Sequence, residues 1–167
     1  DSSACLLING KLIGAVAEER LGKRIKHDSS FPINSIKWLM KSSNLKYADI
    51  DYIALSNDSL SNLIQKMLHS FDFSSFNLLK KIKSKIYNKS SVKKEIINLC
   101  KSSDEDIKSL KFKIYNVEHH LTHIASAYYL SKFTDTTAAF SYDGSGDAVS
   151  VMLAECKDTK IKVIEKV

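Results

Sequence analysis

The sequence predicts an α/β protein in which a mixed sheet is flanked by helices, and two observations lead to this prediction. Short apolar runs of strand-like composition alternate with longer segments whose apolar residues recur at helical spacing. An acidic residue, small polar residues, an apolar strand, a turn and a second strand follow one another at the start of the chain and again after residue 135. This repeat predicts two related lobes, with residues 1–134 forming the first and residues 135–167 beginning the second.

The first element predicted is a β-hairpin. Asn9 and Gly10 separate two apolar runs, residues 4–8 and 11–17. An Asn-Gly pair between such runs is the strongest short-range hairpin signal, because both positions of a tight hairpin turn need a positive φ. We therefore expect the chain to open with two antiparallel strands.

A charged loop, a helix and a short strand are predicted next. Residues 18–28 are dense in charge and poor in apolar side chains, which favours a loop. Pro32 suits the first turn of a helix that extends to about Ser43. Residues 51–56 form a short apolar run, which we interpret as a buried strand.

The middle of the chain is predicted to be mainly helical. The pattern over residues 60–108 is weak, and a polar break at residues 88–91 divides its clearest part into two helices. Residues 112–117 read as another strand. That strand delivers His119 to the start of a helix that reaches about Ser131.

The last part of the chain reads as a three-stranded meander. Residues 136–142 form an apolar strand, and the glycine-rich residues 143–147 are predicted to form the turn that follows it. Residues 148–154 form the next strand, residues 157–160 a polar turn, and residues 161–164 the last strand.

Composition excludes several classes of protein. A hydrophobic content of 44% supports a core, and 26% charged residues with five glycines and one proline indicate a globular chain. Cys5, Cys100 and Cys156 lie far apart and form no CxxC pair, so no disulfide framework or zinc ribbon is indicated. The sequence contains no run long enough to span a bilayer and no secretory signal, so we expect a cytoplasmic protein without a membrane partner.

The net charge of +6 raises the question of nucleic-acid binding. Much of the excess lies in the lysines of residues 80–101, which alternate with Leu, Ile and Val at helical spacing. These lysines fit the solvated faces of two amphipathic helices. Because no aromatic residues interleave with them in the way that base stacking needs, we expect no nucleic-acid partner.

The pattern with the most chemical content is a histidine cluster. Three of the five histidines are His119, His120 and His123. Residues four apart on a helix project from one face, so His119 and His123 can share one cation. His120 and His123 are also a permissible pair at spacing three, and capping or solvated histidines would explain the run without a metal.

A carboxylate from the tail can complete such a site. Asp143 and Asp147 flank a glycine-rich segment twenty residues after His123. Asp143 is preferred as the third ligand because it ends the predicted buried strand, and rigid elements hold ligands more accurately than turn exits do.

Four groups of residues, in this order along the chain, resemble the carbamoyltransferases of the nodulation and antibiotic-tailoring type. They are Asp1-Ser2-Ser3-Ala4; Glu18-Glu19-Arg20 with Lys26-His27-Asp28 and Phe31-Pro32; residues 117–123 with Ala125-Ser126-Ala127; and Asp143-Gly144-Ser145-Gly146-Asp147. Residues 60–108 contain no matching motif. The resemblance therefore covers both ends of the chain.

This resemblance implies a fold and a reaction. The fold is an actin/Hsp70-like (ribonuclease H-like) lobe plus the first strands of a similar second lobe, close to the domain that transfers threonylcarbamoyl groups to tRNA. The substrates are ATP and carbamoyl phosphate, which form carbamoyl-adenylate, and a small-molecule acceptor whose hydroxyl receives the carbamoyl group. Formation of the adenylate belongs to a downstream YrdC-like domain that is absent here. The chain also lacks the family's histidine before Asp1 and a further acidic metal ligand, so we expect it to be inactive alone.

The resemblance also implies roles for individual residues. His119, His123 and Asp143 would hold a divalent metal, which would be iron or another ion that accepts imidazole ligands. The positively charged Arg20, Lys23, Arg24 and Lys26 would bind an anionic ligand, and the backbone N–H groups of Gly144, Ser145 and Gly146 would contact phosphate. His27 would act as a general acid or base, and Asp1 would be a second catalytic residue.

Three other functions remain open at this point. An ATPase or sugar kinase of the same two-lobed fold would need a catalytic Asp but no HxxxH pair. A tRNA threonylcarbamoyl transferase would share the histidine motif, although residues 18–32 favour the small-molecule branch. A non-catalytic module that binds through the basic helices would show salt-sensitive binding without metal dependence.

Overall fold

A computed structural model describes residues 1–22, 26–58, 61–62 and 75–167, with side chains described in all of these except residues 75–88 and Ser145. The strands are β1 (Ser3–Ile8), β2 (Lys11–Ala17), β3 (Tyr52–Leu55), β4 (Lys113–Asn116), β5 (Thr137–Gly146), β6 (Val149–Lys157) and β7 (Lys160–Lys166). The α-helices are α1 (Glu18–Leu21), α2 (Ile33–Ser42), α3 (Ser75–Ser102) and α4 (His119–Tyr128), and short 3-10 helices lie at Tyr47–Asp49 and Ile107–Ser109. The chain divides into two compact units, residues 1–52 with 90–113 and residues 53–89 with 114–167.

The predicted α/β class is confirmed, but the strands of the described residues form three separate sheets rather than one mixed sheet. β1 pairs with β2, β3 pairs with β4, and β5, β6 and β7 form a meander in that order. No hydrogen-bonded ladder joins these groups among the described residues. The predicted lobe boundary after residue 134 and the actin/Hsp70-like fold concern a larger assembly of strands and stay predictions.

The first unit opens with the predicted hairpin. β1 and β2 are antiparallel, and the turn residues Asn9 and Gly10 have φ angles of 51° and 77°. Both values lie in the left-handed region that Asn tolerates and Gly adopts without strain. The helix α2 packs against this hairpin and buries Leu39 and Met40. The helix predicted from Pro32 to about Ser43 is thereby confirmed.

The predicted loop over residues 18–28 is wrong at its beginning, where α1 forms instead. The cause is a buried acid, Glu18, whose carboxylate accepts four hydrogen bonds of 2.7–3.0 Å from the backbone N–H groups and side chains of Asn34 and Ser35. These N–H groups belong to the first turn of α2 and have no partner within their own helix. Glu18 therefore caps α2 from a distant part of the sequence.

The predicted break at residues 88–91 is also absent. α3 runs without interruption from Ser75 to Ser102, and its last turns bury Ile96, Leu99 and Cys100 in the first unit. Asn and Ser disfavour helix interiors by only a few tenths of a kcal/mol each, which is too little to end a helix without a Gly or Pro. The rest of the helical prediction for residues 60–108 falls partly on residues 59–60 and 63–74, which lie outside the described residues.

The second unit places α4 against one face of the β5–β6–β7 meander. Ile124 and Tyr128 of α4 pack with Met152, Ala154 and Cys156 of β6 to form its core.

The two-stranded sheet is formed by β3 and β4. The Lys113 N–H donates to Asp51 O, and the Val117 N–H donates to Leu55 O. The donors move forward by four residues as the acceptors move forward by four residues, so β3 and β4 are parallel. None of the described helices combines the length and the hydrophobicity that a transmembrane span requires.

The glycine-rich segment does not form the predicted turn at residues 143–147. β5 continues to Gly146, and its pairing with β6 shifts from Tyr142–Val151 to Gly146–Val149. Residues 143–145 of β5, three in number, therefore lie opposite the single residue Ser150 of β6, which makes a bulge at residues 143–145. The turn itself is formed by Asp147 and Ala148, with φ angles of 54° and 63°.

Candidate metal centre

The start of α4 is set by two acidic side chains. Glu118 precedes the helix, and its carboxylate accepts the N–H of Leu121 at 2.7 Å. The Asp147 carboxylate accepts the N–H of His119 at 3.1 Å. Because both anions lie at the positive end of the helix dipole, they stabilise a helix that begins at His119. His119 and His123 are then one turn apart on the same face.

The two histidines converge with Asp143 on one point. His119 Nε2 lies 2.8 Å from Asp143 Oδ2 and 3.1 Å from His123 Nε2, and His123 Nε2 lies 3.4 Å from the same Asp143 oxygen. One ligand atom from each residue fits within a span of 4.8 Å. These three residues are the ones predicted as metal ligands from the sequence. Two imidazoles and one carboxylate on one side of a cation form a donor set that leaves positions open for other ligands.

The bulge in β5 places Asp143 for this role. Its Oδ1 accepts the N–H of Gly144 at 2.6 Å, while Oδ2 faces the histidines. The two carboxylate oxygens therefore have different partners, and the first fixes the direction of the second.

The pKa values reflect this pairing. The hydrogen bond from His119 lowers the pKa of Asp143 from 3.8 to about 2, with a further contribution from the Gly144 N–H. The same hydrogen bond raises the pKa of His119, although partial burial acts in the opposite direction. Asp143 is therefore anionic at every physiological pH. A metal ion has to compete with a proton only at the imidazoles.

A backbone carbonyl orients the His119 ring for metal binding. The Nδ1 atom of His119 lies 3.3 Å from Ser56 O. Because a carbonyl only accepts hydrogen bonds, this contact holds a proton on Nδ1, so that a metal ion which displaces the proton between Nε2 and Asp143 would find the Nε2 lone pair available. Metal-ligating histidines are usually held in this way by a carbonyl or carboxylate. The residues present therefore fit a divalent metal on His119, His123 and Asp143.

His120 is turned away from the cluster. It is fully buried, with Nδ1 2.9 Å from Ser141 Oγ and Nε2 2.7 Å from Val149 O. Both ring nitrogens have partners in the β5–β6 hairpin, so His120 joins α4 to that hairpin. This placement agrees with the helical argument for the pair His119 and His123.

Gly146 has a role that the sequence did not indicate. It is buried, and a Cβ built on it would lie 2.0 Å from Cδ2 and 2.4 Å from Cγ of His119. The imidazole ring of His119 therefore lies directly on the backbone of this glycine. Gly144 is exposed and has open space around it. The phosphate contacts predicted for Gly144, Ser145 and Gly146 stay a prediction.

The other predicted site residues lie in the first unit. His27 Nδ1 is 3.0 Å from Asp1 Oδ1, so the structure brings together the two residues predicted as catalytic. The backbone N–H of His27 donates to Glu19 Oε2 at 3.1 Å, and His27 has a φ angle of 62°. A non-glycine residue with this φ is strained and needs support from its surroundings.

The basic residues predicted to bind an anion are only partly described. Arg20 is exposed and lies 3.4 Å from Glu19 Oε1. Lys26 is exposed. Lys23 and Arg24 lie outside the described residues. The anion-binding role of these four residues stays a prediction.

Comparison with known proteins identifies relatives over the whole chain. A family model described as the carbamoyltransferase N-terminus matches residues 1–166. The chain is 30% identical over 160 residues to the uncharacterized protein sll1178 of Synechocystis sp., a match that covers 92% of this chain and 25% of that protein. It is also 30% identical over 164 residues to the nodulation protein NolNO of Sinorhizobium fredii, which covers 97% of this chain and 22% of NolNO.

A third relative matches a shorter part of the chain. An uncharacterized 19.2 kDa protein of Rhizobium etli is 41% identical over 54 residues, or 32% of this chain and 31% of that protein. The chain spans about a quarter of the length of the first two relatives. Because the family model covers all but the last residue, the chain belongs to the carbamoyltransferase N-terminal family.

Proposed function

We propose that this chain is the N-terminal part of a carbamoyl-transfer domain and that it holds a divalent metal, preferably iron, on His119, His123 and Asp143. The observation that supports this most strongly is the convergence of three ligand atoms within 4.8 Å in a member of the carbamoyltransferase family. Nothing about helical spacing alone requires Asp143 to reach the two histidines. Its arrival at the same point, with an orienting carbonyl behind His119, is what a built metal site needs.

The proposed substrates are ATP, carbamoyl phosphate and a small molecule with a hydroxyl group. In a separate YrdC-like domain, the first two react with one water molecule to yield carbamoyl-adenylate, phosphate and pyrophosphate. In the transfer step, the acceptor oxygen forms a bond to the carbamoyl carbon, and the bond from that carbon to the adenylate oxygen breaks. AMP leaves with the electron pair of that bond, and the hydroxyl proton passes to a base.

The residues of this chain offer groups that suit such a step. A metal bound to the cluster supplies a Lewis acid that polarises a carbonyl or orients a phosphate. Among the three ligands only Asp143 is negatively charged, so a divalent metal bound to them would keep a net positive charge that attracts an anionic adenylate. In the first unit, the Asp1 carboxylate holds His27 Nδ1, the arrangement that a general acid or base needs.

The proposed fold is that of an actin/Hsp70-like protein whose second lobe starts with β5. Antiparallel hairpins at both ends of the chain, β1–β2 and β5–β6, support this proposal. The first two relatives are about four times as long as this chain, which is enough for the rest of a second lobe and for an adenylate-forming domain.

The metal content of the purified chain tests the central part of this proposal. The protein is prepared without chelator, and its iron, zinc, cobalt and manganese are measured by elemental analysis. We expect close to one equivalent of metal in the original chain and little in His119→Ala and His123→Ala. Ser126→Ala is the matched control, because Ser126 is an exposed residue of α4 whose hydroxyl donates to the backbone oxygen of His123. Equal metal contents in all four proteins would contradict the proposed site.

The transfer reaction needs a separate test in a longer protein that contains this chain. Radiolabelled carbamoyl phosphate, ATP and a hydroxyl acceptor are supplied, and labelled carbamate ester is measured. The 167-residue chain alone is expected to form none, because a reaction cleft needs both of its walls to position the reactants. Product formation by the chain alone would refute that expectation.

A further inference from the structure

The three ligand atoms of the candidate metal centre come from two different elements. His119 and His123 belong to α4, whereas Asp143 belongs to the bulge of β5. The distances between them depend on how firmly the start of α4 is attached to the β5–β6 hairpin. A displacement of about 1 Å between these elements would spoil the geometry of a metal site.

One carboxylate oxygen adds to this attachment, which also includes the bonds of His120 to Ser141 and Val149. Asp147 Oδ2 accepts the backbone N–H of His119 at 3.1 Å and the backbone N–H of Asp58 at 2.8 Å. Asp147 lies in the turn of the same hairpin that carries Asp143, only four residues away. The Asp147 carboxylate therefore connects the hairpin that contains Asp143 to the backbone of His119.

The second hydrogen bond extends the connection to the tautomer of His119. Asp58 lies two residues after Ser56, whose carbonyl contacts His119 Nδ1. Asp147, the segment of residues 56–58 and His119 thus form a closed circuit of hydrogen bonds. The ring of His119 is held inside this circuit, against the backbone of Gly146.

We propose that Asp147 is a positioning residue of this centre: its carboxylate fixes His119 and the segment of residues 56–58 so that the Nε2 atom of His119 faces Asp143. This inference rests on the proposed metal site but assigns a residue that does not itself bind the metal. The competing explanation is that Asp147 only caps α4 and supports a turn. Glu118 already caps that helix, however, and a capping role gives no reason for the bond to Asp58.

Two substitutions separate the carboxylate from the turn. Asp147 has a positive φ, which Gly adopts freely and Asn tolerates. Asp147→Gly therefore removes the carboxylate and keeps the turn, and Asp147→Asn keeps a neutral oxygen that can accept the same hydrogen bonds. Tyr128→Phe is the control for stability, because it removes a hydrogen bond to Asp158 O at the other end of α4.

The experiment titrates the metal-free chain with Co(II) and follows its visible absorption, at a temperature at which circular dichroism shows each variant to be folded. We expect Asp147→Gly to weaken Co(II) binding about 10- to 100-fold and to alter the spectrum, as losses of groups that orient a ligand do. Asp147→Asn is expected to retain most of the affinity, and Tyr128→Phe all of it. Wild-type affinity and an unchanged spectrum in Asp147→Gly would overturn the inference.

A second measurement keeps the inference distinguishable from the metal proposal. Nitrogen-15 NMR of the metal-free chain reports which ring nitrogen of His119 carries the proton. We expect the His119 signals of the original chain to show a proton on Nδ1, held by Ser56 O, and those of Asp147→Gly to show that this proton is partly lost. If the chain binds no Co(II) at all, the metal proposal is wrong, and the His119 signals alone then test whether Asp147 positions the His119 ring. Unchanged signals in Asp147→Gly would then reject the positioning role, and altered signals would support it.

Discussion

Replacement of Gly146 by alanine tests whether the ring of His119 needs this backbone as its support. The added Cβ would lie 2.0 Å from Cδ2 and 2.4 Å from Cγ of His119. Carbon atoms pack at about 3.5–4.0 Å, so the ring or the strand has to move by more than about 1 Å. The ring cannot move away while keeping its Nε2 atom 2.8 Å from Asp143. Either the metal centre or the fold must therefore change.

The expected magnitude follows from these alternatives. If the ring stays, overpacking lowers the free energy of unfolding by about 1–3 kcal/mol. If the ring rotates away, stability is largely kept but one of three ligands leaves the centre. We expect Gly146→Ala to lose at least ten-fold in Co(II) affinity, or to melt several degrees lower, or both. The two measurements are Co(II) titration by visible absorption and thermal unfolding by circular dichroism.

Gly144→Ala is the matched control for this experiment. Gly144 lies two residues before Gly146 in the same strand, has no positive φ, and has nothing within 4 Å of an added Cβ. We expect it to bind Co(II) and to unfold like the original chain. The reasoning is refuted if Gly146→Ala cannot be distinguished from Gly144→Ala in either measurement.

Three further predictions concern the turn, the buried acid and the effect of pH. Ala148 has a φ of 63°, so Ala148→Gly is expected to relieve strain and to raise the free energy of unfolding by about 0.5–1 kcal/mol in urea titration; a decrease would contradict this. Glu18→Gln leaves donors of α2 without their charged acceptor and is expected to cost about 2–3 kcal/mol at neutral pH. Burial raises the pKa of Glu18, but its four hydrogen bonds outweigh burial and lower it below 4.5, so its stabilisation is present above pH 4.5 and is lost as the pH falls through the folded value. The difference between Glu18→Gln and the original chain should therefore shrink in acid, and a constant difference would be evidence against this role. Finally, because the bond to Asp143 raises the pKa of His119, Co(II) affinity should fall as the pH drops through that raised value while Asp143 stays ionised; pH-independent binding between pH 5 and 8 would rule this out.

Local signals in the sequence were sufficient for most of the elements. Asn9-Gly10 fixed the first hairpin because both residues accept the positive φ that the turn needs. Pro32 marked the start of α2, and the spacing of His119 and His123 put both on one face of α4. Each of these features depends only on residues that are close together in the chain.

The tail hairpin shows why the remaining parts were not predictable. Gly144 and Gly146 are strong turn residues, so a turn was expected at residues 143–147. The actual turn is Asp147-Ala148, although alanine disfavours a positive φ by about 1–2 kcal/mol. Packing decides the outcome, since Gly146 must lie under His119 and Asp147 must reach two backbone donors. Neither requirement can be read from neighbouring residues.

Glu18 shows the same limit for a charged residue. Its partners Asn34 and Ser35 lie sixteen and seventeen residues away, across a charged segment that reads as a loop. A carboxylate at this position looks solvated until the fold places it at the start of α2. Helix geometry does predict that α2 requires acceptors, because the first N–H groups of α2 lack partners within the helix. It does not identify which of several nearby acids supplies them.

The placement of Asp143 also limits what the HxxxH pair can mean by itself. Helical spacing brings two imidazoles together, but two neutral ligands without an anion bind a divalent ion weakly and leave its charge uncompensated. The charge comes from Asp143, which lies in a bulge where three residues of β5 oppose one residue of β6. The same bulge leads into the turn where Asp147 binds the His119 backbone. Asp143, the anionic ligand, and Asp147, which holds it in position relative to α4, therefore both depend on the bulge and the turn of residues 143–148. We expect an insertion or deletion within residues 143–147 to abolish metal binding even where both histidines remain.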